Sequence, residues 1–551
     1  MSQGFLSYHS VFSDIDGDEE YLLQEAMSNP IAYAASTDKD TMYLHQAMRQ
    51  PDKKQFVQAM LDEVTAHTKN GHWRIIPRTQ VPVGTKVLPS VWAMKRKRRI
   101  LTREVYKWKA RLNVHGGKQE LGVKYWDTYA ATLSWPPIRF MLTVALIKGW
   151  YTRQIDFTLA YPQVDIECDM YMEIPQGFTF NGTRKTHCLQ LVKNLYGQRQ
   201  AGRTWQQHLN RGLTNNGFVP SQADECIWYR GQVTFMYCVD DGIFVGSCSK
   251  EIDGIINSLK QTFNLTDEGD LSDYLGIKVS KLPGGRISLT QPHLIDTIIE
   301  DMKFTKNTKA KLLPACSSSI IQRDLDGDAF DEHWDYRSII GKLNFLEKST
   351  RPDIAYAVHQ CARFSSNPKK SHANAVKQIV RYLIGTRDKG IILEPTGNEF
   401  EVFCDSNFVG DYNQDTAPYD VMTAKSRGGH IIMYAGCPML WSSKMLSEVT
   451  LSTTESEYCE ISNALRSTIP LMSLVNEVHE RYDTKLVGVP VVKCEVFEDN
   501  SGAVELAMVH KMRPRTKHIN VKYHHFRKHV RKKLIRISHV SSEDNCDARR
   551  D

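Results

Sequence analysis

The chain has 551 residues, 41% hydrophobic and 24% charged, which suits a soluble protein of about three or four domains, each with its own core. No run of about 18 apolar residues occurs, so no membrane-spanning helix is expected, and the first 20 residues lack the basic start and apolar centre of a signal peptide. The 12 cysteines form neither a CxxC pair nor a Cys/His cluster at zinc spacing, which points to free thiols in a reducing compartment, and the net charge of +7 is modest but clustered.

Residues 1–44 carry an acidic patch, Asp14 to Glu20, with few periodic apolar positions, and are expected to be a flexible N-terminal segment. From Pro51 the pattern turns helical, with Phe56, Met60 and Val64 on one face. The stretch from Trp73 to Gly117 alternates Val, Ile and Trp with Lys and Arg, as β-hairpins with a basic outer face do. The run Lys95 to Arg99, with Arg103, Lys107, Lys109 and Arg111, is either a solvated charged face or a surface for phosphates. Residues 136–149 predict an amphipathic helix bearing Phe140, Val144 and Ile147. A strand then carries Asp156 inside an apolar run, which is an unusual place for an acid unless it is salt-bridged or holds a cation.

The stretch FMYCVDDGIFVG, residues 235–246, predicts two short buried strands joined by a tight turn with Asp240 and Asp241 at its tip. Adjacent carboxylates on an apolar hairpin repel each other, and burial raises their free energy. A hard divalent cation relieves both costs. A lone DD pair is more often a solvated turn, but the apolar flanks, and Asp156 if its strand delivers it to the same cluster, favour a metal site. Residues 249–264 predict a helix, and a strand–turn–strand follows around Pro283-Gly284-Gly285. Residues 289–395 are expected to be largely helical, with breaks around 314–335 and at Arg351-Pro352-Asp353.

A second alternating region begins near 399. Asp405 ends a short apolar strand, residues 428–444 predict a hairpin, and a long helix with a Ser/Thr-rich start carries Glu457 in its first turns. Asp499 sits at a strand-to-helix junction, and the segment from His510 to Arg536 is strongly basic. Each acid alone reads as an ordinary surface residue; together they are expected to form a second metal cage, separate from the first.

The order of these pieces resembles the reverse transcriptase–RNase H part of a Ty1/copia-type LTR retrotransposon polyprotein, over about residues 45–548. The motifs that carry it are YKWKARLNVHGG, QIDFTLAY, YMEIPQGF, NLYGQRQAGRTW, CVDDGIFVG, DYLGIKV, YRSIIGKLNFL, TRPDIAYAV, CDSNFVGD, WSSKMLSEVTLSTTESEY and RTKHINVKYHHFR. So many short motifs in one order make chance similarity very improbable. The resemblance implies an α+β multidomain fold: a right-hand polymerase, then a helical connection and an RNase H-like α/β domain. Fingers and palm would span 45–248, the primer-grip hairpin and thumb 249–310, the connection 311–397 and the RNase H-like domain 398–551.

The same resemblance assigns roles. Asp156, Asp240 and Asp241 match the polymerase metal acids, and Tyr161 matches the aromatic that favours deoxynucleotides. Lys109 and Arg111 resemble residues meeting the incoming triphosphate, Gln198 and Gln200 the template and nucleotide floor, and Leu275-Gly276 the hairpin gripping the primer end. Asp405, Glu457 and Asp499 match the first three RNase H acids, with Glu457 preferred over Glu455. Asp547 is the choice for the fourth, with Asp544 as its alternative. Two Mg²⁺ per site are implied, with Mn²⁺ as a substitute. The implied substrates are an RNA template, a DNA primer, dNTPs and an RNA–DNA hybrid. Retroelement capsid and integrase are further partners and a membrane is not. The implied setting is cytoplasmic, in a virus-like particle, with the nucleus as a second location.

Two departures stand out. Cys238 occupies the place where relatives have Tyr, and the neighbouring Tyr237 points to the opposite strand face. The C-terminal sequence, Cys546-Asp547-Ala548-Arg549, departs from the family's Ala-Asp ending. No integrase, protease or zinc-knuckle motif is visible, which reads as a polyprotein fragment or a degraded copy. The competing reading is a catalytically inactive remnant that only binds nucleic acid, with a host-adopted interaction protein as a third.

Overall fold

The structure is a computed structural model, and it describes residues 40–98, 104–305, 307–315, 321–397, 399–410, 412–414, 420–482, 493–508, 521–542 and 545. Most of the acidic N-terminal segment, Arg99, Arg103, Asp544 and Asp547 therefore lie outside the described residues. Within the segment expected to be flexible, Thr41–Tyr43 is a strand that pairs with Ser90–Arg98.

The N-terminal region is built on the helix Lys53–Lys69, which buries Phe56 and Met60 and leaves Val64 half-buried, as its periodicity predicts. It lies against the hairpin formed by Ser90–Arg98 and β1 (Val105–Val114). The basic outer face is partly neutralised. Arg96 makes two bonds of 2.7 Å to Asp52, and Arg98 grips Asp40 at 2.6 and 3.0 Å. These bidentate pairs take two of the cations in the run Lys95 to Arg99 away from the surface expected to meet phosphates.

The centre of the molecule is a six-stranded antiparallel sheet. Its strands include β2 (Tyr151–Phe157), β3 (Val233–Cys238) and β4 (Asp241–Gly246). β3 and β4 are buried along nearly their whole length rather than on alternate residues, so both faces of the sheet are covered. The helices α1 (Trp135–Lys148) and α2 (Ala201–Asn215) contribute to that cover. α1 buries nearly everything from Pro137 to Ala145, not the single face its pattern suggested, because elements from the C-terminal half pack on it as well.

The hairpin Ile277–Leu282 with Arg286–Thr290 turns at Gly284 and Gly285, whose φ values of +81° and +71° favour glycine. Four helices follow, Pro292–Asp301, Tyr336–Ser349, Ala355–Ala362 and Lys370–Gly385. They share one core that includes Ile295, Leu343, Val358 and Val376. The divide expected near residue 310 therefore runs through a single helical unit, and Ile391–Leu393 then closes onto the hairpin as a further strand.

The C-terminal region is a five-stranded mixed sheet. β5 (Phe400–Asn407) is flanked by the antiparallel hairpin β6 (Arg427–Tyr434) and β7 (Cys437–Met445) on one side. On the other side lie the parallel strands β8 (Cys494–Glu498) and Ile535–His539. The long helix α3 (Thr453–Tyr482) packs on β5 and β6. One buried apolar cluster runs without interruption from the central sheet into this region. Arg139 of α1 sits at the junction, almost fully buried, and donates to the carbonyls of Met439, Lys348 and Ser349 at 2.6–2.9 Å. Its guanidinium lies 4.3 Å from the Trp441 ring, so hydrogen bonds and a cation–π contact together compensate a buried charge. No described helix is long and apolar enough to cross a membrane, and every described cysteine is a free thiol.

Candidate active sites: two carboxylate clusters

The first cluster forms where β2, β3 and β4 end. The ladder closes with Cys238 opposite Asp241, and Val239-Asp240 is the two-residue turn. Val239 has φ +59°, a left-handed conformation that costs a β-branched residue strain. The surroundings pin it. The Trp205 indole donates to the Val239 carbonyl at 2.7 Å, the Phe157 amide donates to the Asp240 carbonyl at 2.7 Å, and the Tyr274 hydroxyl donates to the Asp241 carbonyl at 3.3 Å. Gly242 is required for packing, since a Cβ there would lie 2.7 Å from Phe235 and 2.9 Å from Ile155.

On the other side of β4, Asp241 faces Asp156 across the ladder. Burial, and then the Asp240 charge, push Asp241 up to about 6 and shift Asp156 in the same direction. Cations of β1 oppose this. Arg111 reaches to 4.0 Å of Asp240 and lies over the Tyr196 ring at 4.7 Å. Its Nη1 is buried without a hydrogen-bond partner, a donor left open beside the acids. Lys109, half-buried, is pulled down to about 8 by burial and then by Arg111.

Tyr161 is buried and packs on Tyr196 with ring centroids 5.3 Å apart. It lines a cavity of about 270 Å³ with Gln198, Arg199, Trp205, Tyr237 and Val239. Gln198 is buried with both amide atoms unpaired. Gln200 is placed differently, since its Oε1 accepts from Gln119 at 3.0 Å. Leu275 and Gly276 form the turn after Tyr274 with φ +48° and +79°, and of this group the contact to Asp241 is made by Tyr274. Tyr237 points into the core and bonds Asn210 at 2.9 Å, whereas Cys238 is half-buried and its thiol is pushed up to about 11 by burial and then by Asp241.

The second cluster is assembled from three distant elements. Asp405 lies on β5, Glu457 in the first turns of α3, and Asp499 directly after β8. Each offers an oxygen within 4.8 Å of the others, and among the described residues Asp156, Asp240 and Asp241 do not close as tightly. Burial, then Glu498 and Asp405, push Glu457 far above the usual carboxylate range. Its Oε2 is buried with no hydrogen-bond partner. Glu455 is turned elsewhere and accepts the Leu451 amide at 2.8 Å ahead of the helix.

Two further acids back this cluster and were missed in the sequence. Glu498 is fully buried, and Glu460 pairs with His430 at 2.6 Å. For Glu498 the signal was available, because Cys494, Val496 and Glu498 form the inward row of β8. An all-oxygen donor set, mutual repulsion and an orphaned carboxylate oxygen fit a hard divalent cation such as Mg²⁺ or Mn²⁺.

Residues 70–316 match the family described as reverse transcriptase (RNA-dependent DNA polymerase). The chain is 30% identical over 493 residues to the retrovirus-related Pol polyprotein from transposon RE1 of Arabidopsis thaliana, covering 88% of this chain and 32% of that protein. It is 27% identical over 521 residues to the Pol polyprotein from transposon TNT 1-94 of Nicotiana tabacum, covering 93% of this chain and 37% of that protein. The chain thus spans about a third of the length of these relatives. Among solved structures, the foamy viral protease-reverse transcriptase dRH in complex with ds DNA aligns at a TM-score of 0.46 with 13% identity, over 88% of this chain and 69% of that one.

Proposed function

From the premise that the chain is homologous to Ty1/copia-type Pol polyproteins over most of its length and matches a reverse transcriptase domain over residues 70–316, we propose that it is an RNA-directed DNA polymerase with a ribonuclease H site. It copies element RNA into DNA and degrades the RNA of the resulting hybrid. The observation that carries the reading is the register: Asp156 opposite Asp241, Asp240 in the turn, and an Arg111 donor open beside them.

Asp156, Asp240 and Asp241 would hold the cations of the first site, and Asp405, Glu457 and Asp499 those of the second. Bound there, Mg²⁺ or Mn²⁺ supplies charge neutralisation for the triphosphate and lowers the pKa of the primer hydroxyl or the attacking water. The protein's own groups do the rest. Arg111 and Lys109 place positive charge where the triphosphate develops negative charge. Tyr161, held against Tyr196, walls the sugar side of the nucleotide, and Gln198 offers its unpaired amide to the nucleotide or template. Tyr274 keeps the acid turn in place through the Asp241 carbonyl. In this reading residues 45–248 act as fingers and palm, the hairpin near 277–290 meets the primer, and the helices from 292 to 385 serve as thumb and connection. The region from 398 onward selects the hybrid by shape and 2′-hydroxyls. Element RNA, primer, capsid and integrase are its partners, in a cytoplasmic virus-like particle.

The test is primer extension on an RNA template with dNTPs and Mg²⁺, run beside Asp240→Asn. Extension that vanishes in the variant supports the reading. No extension from a folded protein that still binds primer–template favours the inactive remnant, and Cys238→Tyr then shows whether that one residue is responsible.

A further inference from the structure

We infer that Glu498 is a positioning residue of the second carboxylate site, tying together the two strands that carry Asp405 and Asp499 and thereby setting the affinity for the divalent cation. The inference rests on the reading of Asp405, Glu457 and Asp499 as cation ligands.

The parallel ladder between β5 and β8 runs from Phe400 opposite Cys494 to Phe403 opposite Phe497 and stops there. Asp405 and Asp499 both lie beyond its last pair, so the ladder itself does not fix their separation. The residues immediately before them do. The Cys404 thiol lies 3.5 Å from Glu498 Oε2 and 3.6 Å from the Phe497 carbonyl. The other Glu498 oxygen accepts the Asn500 amide at 3.1 Å, which folds the chain back around Asp499. On the far side, the fully buried Asn545 donates to the Cys404 carbonyl at 3.0 Å. The two strand ends are thus clamped by polar contacts at the point where backbone pairing ends.

The choice of residue is informative. Glu498 has no exposed surface, and its two oxygens meet one amide and one thiol. Both are weak compensation for a buried carboxylate, which an apolar side chain would spare the core. The two oxygens of a carboxylate, however, reach the Asn500 turn and the neighbouring strand at once. A leucine could fill the space without making either contact. Outer partners of this kind fix the orientation of metal ligands, and removing them ordinarily weakens metal binding by about 10- to 100-fold.

The experiment uses the full chain and Mn²⁺, read by electron paramagnetic resonance, with Asp405→Asn supplying the background of the other site. Glu498→Leu should weaken Mn²⁺ binding at the second site by about 10-fold, while the Mg²⁺ requirement for primer extension stays unchanged. Glu498→Gln, which keeps one acceptor, should lose less. A Glu498 that merely supports the core would lower the melting temperature and leave the Mn²⁺ affinity within about twofold of the parent, and that result overturns the inference. Should Glu498→Leu not fold, Cys404→Ala removes the thiol side of the same clamp; weaker Mn²⁺ binding sustains the inference and unchanged binding overturns it. If the parent and Asp405→Asn bind equal Mn²⁺, it is the underlying assignment of the site that fails.

Discussion

The two carboxylate clusters solve the same electrostatic problem in opposite ways. In the first, three acids come from adjoining strand ends, Asp240 in one strained turn and Asp241 directly after it, and the protein supplies cations of its own. In the second, the acids come from β5, α3 and the end of β8, and the strongest influences on Glu457 after burial are all further acids. The first site therefore tolerates its charge partly without a ligand, and in the proposed reading Arg111 and Lys109 serve an incoming anion. The second is closed more tightly, and in the same reading it depends on the cation it would hold. Local geometry builds one site, and tertiary docking builds the other. A single buried core joins them, with Arg139 sealing α1 against β7.

The largest effect should come from Glu457→Gln. Loss of a cation ligand is expected to slow cleavage of the RNA strand in a labelled hybrid by at least about 1,000-fold, with primer extension nearly unchanged. Comparable loss of both activities would show that the clusters do not act separately. Next, Arg111→Ala should lower kcat/KM for dNTPs by about 100-fold and leave hybrid cleavage intact, because its donors face only the first cluster. Steady-state kinetics on a homopolymeric template would measure this.

A third, smaller effect separates the sites by pH. Asp241 has its folded pKa raised from an ordinary 3.8 to about 6. Its contribution to stability is therefore complete below about pH 4 and is lost as pH rises through about 6. Glu498 is raised to about 8, so the second cluster should lose stability in the same direction but at higher pH. Differential scanning fluorimetry without metal should show melting falling from pH 5 to pH 9. Mg²⁺ should restore a few degrees, about 2–4 °C, more at high pH than at low. In Asp241→Asn the step near pH 6 should be missing. The smallest change should follow Glu455→Gln, which keeps an acceptor for the Leu451 amide: full hybrid cleavage and a melting shift of no more than about 2 °C.

Much of the first site was legible because its parts are short-range. An apolar run broken by Asp240-Asp241, and an acid within another apolar run, predict a hairpin and a buried carboxylate without knowledge of the rest. The fold's long-range contacts were not legible in that way. Arg139 looks like the polar edge of an amphipathic helix, yet it is buried because β7 and the helix Tyr336–Ser349 dock on it, 200 to 300 residues away in sequence. The basic run around Arg96 looks like a phosphate surface, but Asp40 and Asp52 claim two of its cations. Gln198 and Gln200, two residues apart, diverge because Gln119 arrives to bond only the second. The second site's acids were legible only as an ordered set at strand ends and in a helix start, and the resemblance gave each its role, since nothing local connects Asp405 to Glu457. Within it, Glu498 was visible in the alternation of β8, where it follows Cys494 and Val496 in the inward row.

The most direct test of the central claim, two independent carboxylate sites in one chain, is hybrid cleavage by Asp240→Asn protein that melts like the parent. In that protein primer extension should be lost while cleavage of the RNA strand continues at nearly the parental rate and remains sensitive to Asp405→Asn. Loss of hybrid cleavage in folded Asp240→Asn protein would contradict it.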